Sequence, residues 1–268
     1  MDRVSMNEVS TFRWSFEEDV RKYRAAGFRS LGVWRQKISD YGEEKGAELL
    51  AELGLAVSSL SWAGGFTGSD GRSFAESLED ARDALRVARL IGTDCLVVYS
   101  GARAGHTLNH ARRLFKSALK DLTPEAAGLG IRLAVEPMHP GCAADWTFLT
   151  ALDDALEMID SVGSDNVGLV FDSYHWGHAP ETIERLAAIA PRTFLVHLGD
   201  ARSQPCGEQN RCQLGEGSLP LGPIVSALEQ AAYQGFYEIE LLGEEFEAAR
   251  YEALIASARS TALGLLQS

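Results

Sequence analysis

Residues 131–136 read Ile-Arg-Leu-Ala-Val-Glu, and residues 167–172 read Val-Gly-Leu-Val-Phe-Asp. Both stretches are short, largely apolar and end on a carboxylate, Glu136 and Asp172. Alternate residues of a strand face opposite sides. Leu133 and Val135 therefore share one face, and Arg132, Ala134 and Glu136 the other. In the second stretch Val167, Leu169 and Phe171 share the bulky face, leaving Gly168, Val170 and Asp172 opposite. The pattern returns at 193–199, where Phe194, Val196 and Leu198 oppose Leu195 and His197. It returns again at 237–243, where Tyr237, Ile239 and Leu241 oppose Glu238 and Glu240. Four consecutive strands thus aim an ionisable side chain away from their bulky face, near the C-terminal end.

Working outward, short apolar runs alternate with longer amphipathic stretches along the whole chain. The strand candidates are Val4–Thr11, Ser30–Trp34, Leu55–Trp62, Asp94–Ser100, Ile131–Pro137, Val167–Asp172, Thr193–Gly199 and Tyr237–Gly243. A helical stretch follows each. Between Ser15 and Gly27, Ser15 and Glu18 have capping-box spacing and Gly27 sits at the stop. From Asp80 to Ile91, Ala81, Ala84, Leu85 and Ala88 fall on one side before Gly92. Eight such units without a Pro/Gly-rich linker predict an α/β chain folded as a (β/α)8 TIM barrel, one domain over 1–268. A doubly wound sheet is the alternative, but the chain has neither GxGxxG nor GxxxxGK[ST]. In a barrel the bulky faces meet the helices, so Glu136, Asp172, His197 and Glu240 point inward at the end where such barrels carry their active sites.

The 268 residues hold 25 Lys+Arg against 38 Asp+Glu, a net charge of −13. That balance argues against a nucleic-acid partner, which needs a basic face. No run of 18 apolar residues suggests a membrane span, and the first residues lack the apolar core of a signal peptide. Cys95, Cys142, Cys206 and Cys212 show no CxxC spacing. The expectation is a soluble cytoplasmic protein with reduced thiols.

Three carboxylates repel one another when the set is empty, and together with one imidazole they suit a divalent cation. Hard oxygen ligands with one nitrogen favour Mn²⁺, with Mg²⁺, Co²⁺, Zn²⁺ or Fe²⁺ as alternatives. The competing reading of the same residues is a network of buried salt bridges that includes Arg132 and Glu238.

Several ordered pieces carry a resemblance. They are Ala134-Val-Glu-Pro-Met-His-Pro140, Val170-Phe-Asp-Ser-Tyr-His175, Val196-His-Leu-Gly-Asp200, Asn210-Arg-Cys-Gln-Leu-Gly-Glu-Gly217 and Tyr237-Glu-Ile-Glu240. In order and spacing the chain resembles the xylose isomerase-like TIM-barrel superfamily of sugar isomerases and epimerases. The resemblance implies that Glu136, Asp172, His197 and Glu240 ligate one catalytic metal. It also implies that His175 and Arg211 hold substrate oxygens, and that Glu136 and Glu240 move the proton. A cation on a carbonyl and its neighbouring hydroxyl acidifies the C–H between them, which is the chemistry of a keto-sugar or cyclitol isomerase or epimerase.

His139 departs from the sugar-epimerase pattern. The run Glu136-Pro-Met-His139-Pro140 is similar to superfamily members that act on oxidised glycosides, including the larger subunit of C-glycoside deglycosidases. On that resemblance His139 is a candidate general base for β-elimination from a 3-keto glycoside or inosose, a lyase reading. It would also imply a small partner subunit; a homo-oligomer is the other option. Trp14, Trp34 and Trp62 fall near the ends of the first three strands. Trp14 and Trp62 are the candidate walls for a sugar or glycoside. The long stretch between His197 and Leu219 reads as a binding loop or lid that carries Arg211. The acidic run Gly243–Glu247 reads as a helix start. A DNA-repair endonuclease of the same superfamily is disfavoured by the acidic charge, and a non-catalytic sugar-binding barrel by the complete ligand set.

Overall fold

The computed structural model describes residues 3–207 and 209–267. The outermost positions of the expected 1–268 domain, and Glu208 in the long loop, lie outside the described residues. Eight parallel strands close in chain order: β1 (Val4–Asn7), β2 (Ser30–Trp34), β3 (Ala56–Ala63), β4 (Cys95–Val98), β5 (Arg132–Val135), β6 (Val167–Asp172), β7 (Thr193–Leu198) and β8 (Phe236–Ile239). β1 seals the ring against β8 through Val4 opposite Tyr237 and Met6 opposite Ile239. The chain is thus a (β/α)8 TIM barrel.

The helices form where their caps are. Ser15 accepts from Glu18 N while Glu18 accepts from Ser15 N, so the expected capping box starts the helix Phe16–Ala25. A second capping box, Ser73 with Glu76, starts the next long helix at Phe74, earlier than the apolar spacing alone places it. That helix stops at Gly92, whose φ of +75° is left-handed and easiest for glycine. Among the described residues no helix is long and apolar enough to cross a membrane.

Strand parity follows the sequence with one exception. Leu133, Val135, Leu169, Phe171, Val196, Leu198, Tyr237 and Ile239 pack in the layer between strands and helices. Val97, Ala134, Val170 and Leu195 form a separate cluster inside the bore. Phe194 does not face the helices as expected. The β6–β7 pairing slips, with Leu169 opposite Thr193 but Val170 opposite Leu195, and this bulge turns Phe194 inward. Its ring fills the space beside Gly168, where a Cβ would meet it at 2.6 Å.

Several strands are shorter than their apolar runs. β1 ends at Asn7, whose side chain accepts from Val9 N at 2.9 Å and turns Glu8–Thr11 into a 3-10 helix. Glu136 and Glu240 lie one residue beyond β5 and β8. The acidic run after β8 forms only a 3-10 turn, Glu244–Phe246, and the last helix begins at Tyr251.

Candidate metal and active site

Glu136, Asp172 and His197 come together at the C-terminal ends of β5, β6 and β7. Each offers one ligand atom, and these atoms lie within 4.8 Å of one another. All three are essentially solvent-free, at 1%, 0% and 0% exposure. His197 Nδ1 stands 3.0 Å from Glu136 Oε1 and 3.2 Å from Glu240 Oε2. Glu136 Oε2 is buried with no hydrogen-bond partner. An unpartnered buried acceptor costs about 1–3 kcal/mol, and a converging set of carboxylates and imidazole is what a divalent cation requires. The residues present therefore fit such an ion.

Glu240 stands slightly apart. Its Oε1 lies 2.9 Å from Arg211 Nη2, which also reaches Asp172 Oδ2 at 2.7 Å. Arg211 is 2% exposed, and Gln209 Oε1 accepts from its Nε at 2.6 Å. The structure thus puts Arg211 between two candidate ligands, with its guanidinium 4.3 Å from the Tyr174 ring centre.

Electrostatics follow from this crowding. Burial works to raise Asp172, but Arg211, His175 and His197 outweigh it and hold the carboxyl below its ordinary range. Burial pushes Glu240 up to about 7, against the pull of Arg211 and His197. Burial alone would lower His197, yet Glu136 and Glu240 hold it well above the usual histidine value. A cation reverses the last effect, since a ligating imidazole must be neutral.

His175, in the short helix Ser173–Trp176 after β6, and His139, in the loop after β5, sit beside one another. His175 Nδ1 accepts from His139 N at 3.3 Å, so the neutral ring carries its proton on Nε2. That Nε2 is buried, unpartnered and 3.8 Å from Asp172 Oδ2. Burial pushes His175 down to about 4, so the ring is neutral. His139 Nδ1 accepts from Gly141 N at 3.1 Å, and partial burial lowers its pKa.

The aromatic wall differs from the expected one. Trp62 stands in the bore cluster with its centroid 5.7 Å from Tyr99 and 5.0 Å from Trp146, and it stacks on Trp34 at 6.3 Å. Trp14 does not join them. The 3-10 turn after β1 carries it outward, where it meets Tyr251 edge-on at 5.1 Å and Lys22 at 4.7 Å. Tyr99 and Trp146 escaped the sequence reading. Tyr99 was within reach of it, because it continues the inward parity of Cys95 and Val97.

One carboxylate fixes the long loop. Asp200 accepts from the backbone N–H groups of Ala201, Gly215, Gly217 and Leu219 at 2.9–3.3 Å. Tyr174 OH donates to Asn210 Oδ1 at 2.7 Å and accepts from Asn210 N at 3.0 Å. Arg211 is therefore delivered by a braced arm.

The family model described as "Xylose isomerase-like TIM barrel" matches residues 20–261. An inosose isomerase of Bacillus velezensis is 25% identical over 97% of this chain and 95% of its own length. A D-psicose 3-epimerase of Enterocloster bolteae is 23% identical over 81% of this chain and 70% of its own. The crystal structure of protein SMc04130 from Sinorhizobium meliloti 1021 superposes with a TM-score of 0.89, at 24% identity and 98% coverage of both chains. The crystal structure of the IOLI protein with a bound zinc atom superposes with a TM-score of 0.86, at 20% identity, covering 99% of this chain and 98% of that one. The chain belongs to the xylose isomerase-like TIM-barrel family and is an enzyme of the isomerase/epimerase kind.

Proposed function

We propose that this enzyme is a divalent-metal-dependent isomerase or epimerase of a keto sugar or cyclitol. The observation that carries this reading is the solvent-free trio Glu136, Asp172 and His197, whose ligand atoms fit within 4.8 Å. Glu240 is the proposed fourth ligand. The zinc atom of the IOLI structure and the inosose and psicose substrates named for the relatives support the metal and the substrate class. Mn²⁺ remains the favoured ion.

When bound, the cation supplies Lewis acidity that loosens a C–H next to a carbonyl. The remaining work falls to side chains. Glu136 Oε2, buried and without a partner, keeps a lone pair free to take that proton. Glu240, whose burial favours the protonated form, is the group that returns one. His175 presents Nε2–H as a donor to a substrate oxygen. Arg211 orients a second oxygen while neutralising Asp172 and Glu240. Trp62, Tyr99 and Trp146 form an apolar wall that excludes water.

The lyase alternative needs His139 as base. Its Nδ1 lone pair is taken up by Gly141 N–H, which suits a ring that donates from Nε2. This favours carboxylate proton transfer over His139. The deciding experiment is deuterium uptake in D₂O, followed by NMR, with Mn²⁺-loaded and EDTA-stripped protein on ketoses, inososes and 3-keto glycosides. Metal-dependent exchange with a rearranged sugar supports isomerase or epimerase chemistry. Release of water or aglycone supports the lyase, and exchange indifferent to metal overturns the metal reading.

A further inference from the structure

Glu238 belongs to no part of the ligand set, yet it is a fully buried carboxylate, 0% exposed, on the inward face of β8. It lies deeper in the bore than Glu240. Asn7 Nδ2 donates to its Oε1 at 2.6 Å, Ser58 Oγ to its Oε2 at 2.5 Å, and Ser59 Oγ lies 3.1 and 2.9 Å from the two oxygens. These donors come from β1 and β3. Between them, β2 passes Gly32, where a Cβ would fall 2.2 Å from Glu238 Oε1. The bore therefore reserves a space, and three donors, for one carboxylate.

The remaining neighbour is His197, whose Nε2 lies 3.4 Å from Glu238 Oε1. The contact falls short of a hydrogen bond, so the nitrogen has no hydrogen-bond partner, and Glu238 is the carboxylate it faces. The two ring nitrogens look in opposite directions. Nδ1 faces Glu136 and Glu240, and Nε2 faces Glu238. A ring that ligates through Nδ1 must carry its proton on Nε2, and a carboxylate accepting that proton fixes both tautomer and orientation.

We propose that Glu238 is the positioning residue of His197: it accepts the Nε2 proton and holds the Nδ1 lone pair on the metal. The inference rests on the metal reading above and specifies how this chain implements it. If Glu238 only anchors β1 and β3 through Asn7, Ser58 and Ser59, its removal changes stability and leaves the imidazole untouched.

The test uses the full chain, stripped of metal and titrated with Co²⁺ and Zn²⁺. Wild type and Glu238→Gln are compared by the visible Co²⁺ absorbance, by competition with a chelator, and by ¹⁵N NMR of the histidine rings in the Zn²⁺ form. The expected result is a metal affinity about 10–100-fold weaker in the variant. The wild type is expected to show His197 ligated through Nδ1, with an Nε2 proton that exchanges slowly and becomes faster-exchanging in the variant. Affinity within twofold of wild type, with the same ring signals, overturns the role of Glu238 and leaves the metal site standing. A wild-type ring ligated through Nε2 does the same. Absence of metal binding by the wild type overturns the metal reading itself, and this inference with it. If Glu238→Gln fails to fold, the wild-type ring signals decide alone: Nδ1 ligation with a protected Nε2 proton supports the proposal, and any other pattern sinks it.

Discussion

Arg211 holds its Nη2 2.7 Å from Asp172 Oδ2, with both side chains shut off from solvent. The same nitrogen lies 2.9 Å from Glu240, so one guanidinium keeps two candidate ligands apart. Removing one partner of a buried ion pair costs about 3–5 kcal/mol, because the other charge is stranded. Arg211→Met should lose that much in urea unfolding of the metal-free protein. Added Zn²⁺ should recover more stability in the variant than in wild type, since the cation then takes over the neutralising task. Equal gains in both would show that Arg211 and the cation act on different groups.

Glu136→Gln and Asp172→Asn should each lower metal-dependent exchange by about 10²–10⁴-fold, the span that a proton-transfer group or its electrostatic support contributes. Circular dichroism should be unchanged, because both carboxylates sit beyond or at the end of their strands. Activity within tenfold of wild type in both variants would remove these residues from the site.

A second buried ion pair, Lys37 with Asp19, sets a pH dependence of its own. Lys37 Nζ lies 2.5 Å from Asp19 Oδ2, beside the fully buried Glu8. Burial raises Asp19 to about 7 despite the Lys37 charge. A carboxyl whose folded pKa exceeds its unfolded value near 3.9 binds its proton more tightly when folded. The associated stability is complete below the unfolded pKa and is lost as pH rises toward 7. The advantage of wild type over Asp19→Asn should therefore shrink from pH 5.5 to pH 8, on the order of 1–2 kcal/mol. Urea melts at the two pH values measure it, and a growing advantage would reverse the sign.

The two tryptophans singled out from the sequence should behave differently. Trp62→Ala strips the wall shared with Tyr99 and Trp146 and should raise KM by about tenfold, the scale of one lost aromatic contact. Trp14→Ala loosens packing against Tyr251 and should lower Tm with little change in KM. Equal KM values for the two variants would contradict this division.

The barrel was legible because period-two alternation survives in β5, β6 and β8, where Leu133, Val135, Leu169, Phe171, Tyr237 and Ile239 face the helices. It failed at Phe194, since a bulge depends on the neighbouring strand and leaves no trace in local alternation. Strand ends were misplaced at β1 because the Asn7 side chain, rather than any loss of hydrophobicity, stops the strand. The candidate trio Glu136, Asp172 and His197 could be read from inward ionisable residues at strand ends. Arg211 could be located only through its motif, and nothing nearby in sequence announced that it would lie between Asp172 and Glu240. The bracing by Asp200 was equally hidden, because its partners are backbone groups up to 19 residues away. The contacts of Trp14 with Tyr251 and Lys22 were hidden, because proximity to a strand end says nothing about the direction of the turn that follows.

The fit between Gly32 and Glu238 also bears on how this lineage can vary. A Cβ at position 32 would fall on the carboxylate end of Glu238, so any side chain there needs that end to leave its seat or position 238 to shorten. Shortening position 238 first meets no collision, but it strands the donors Asn7, Ser58 and Ser59 and gives up the carboxylate that faces His197. A bulkier residue at position 32 and a glutamate seated on Asn7, Ser58 and Ser59 therefore exclude each other, and the two positions vary as a pair.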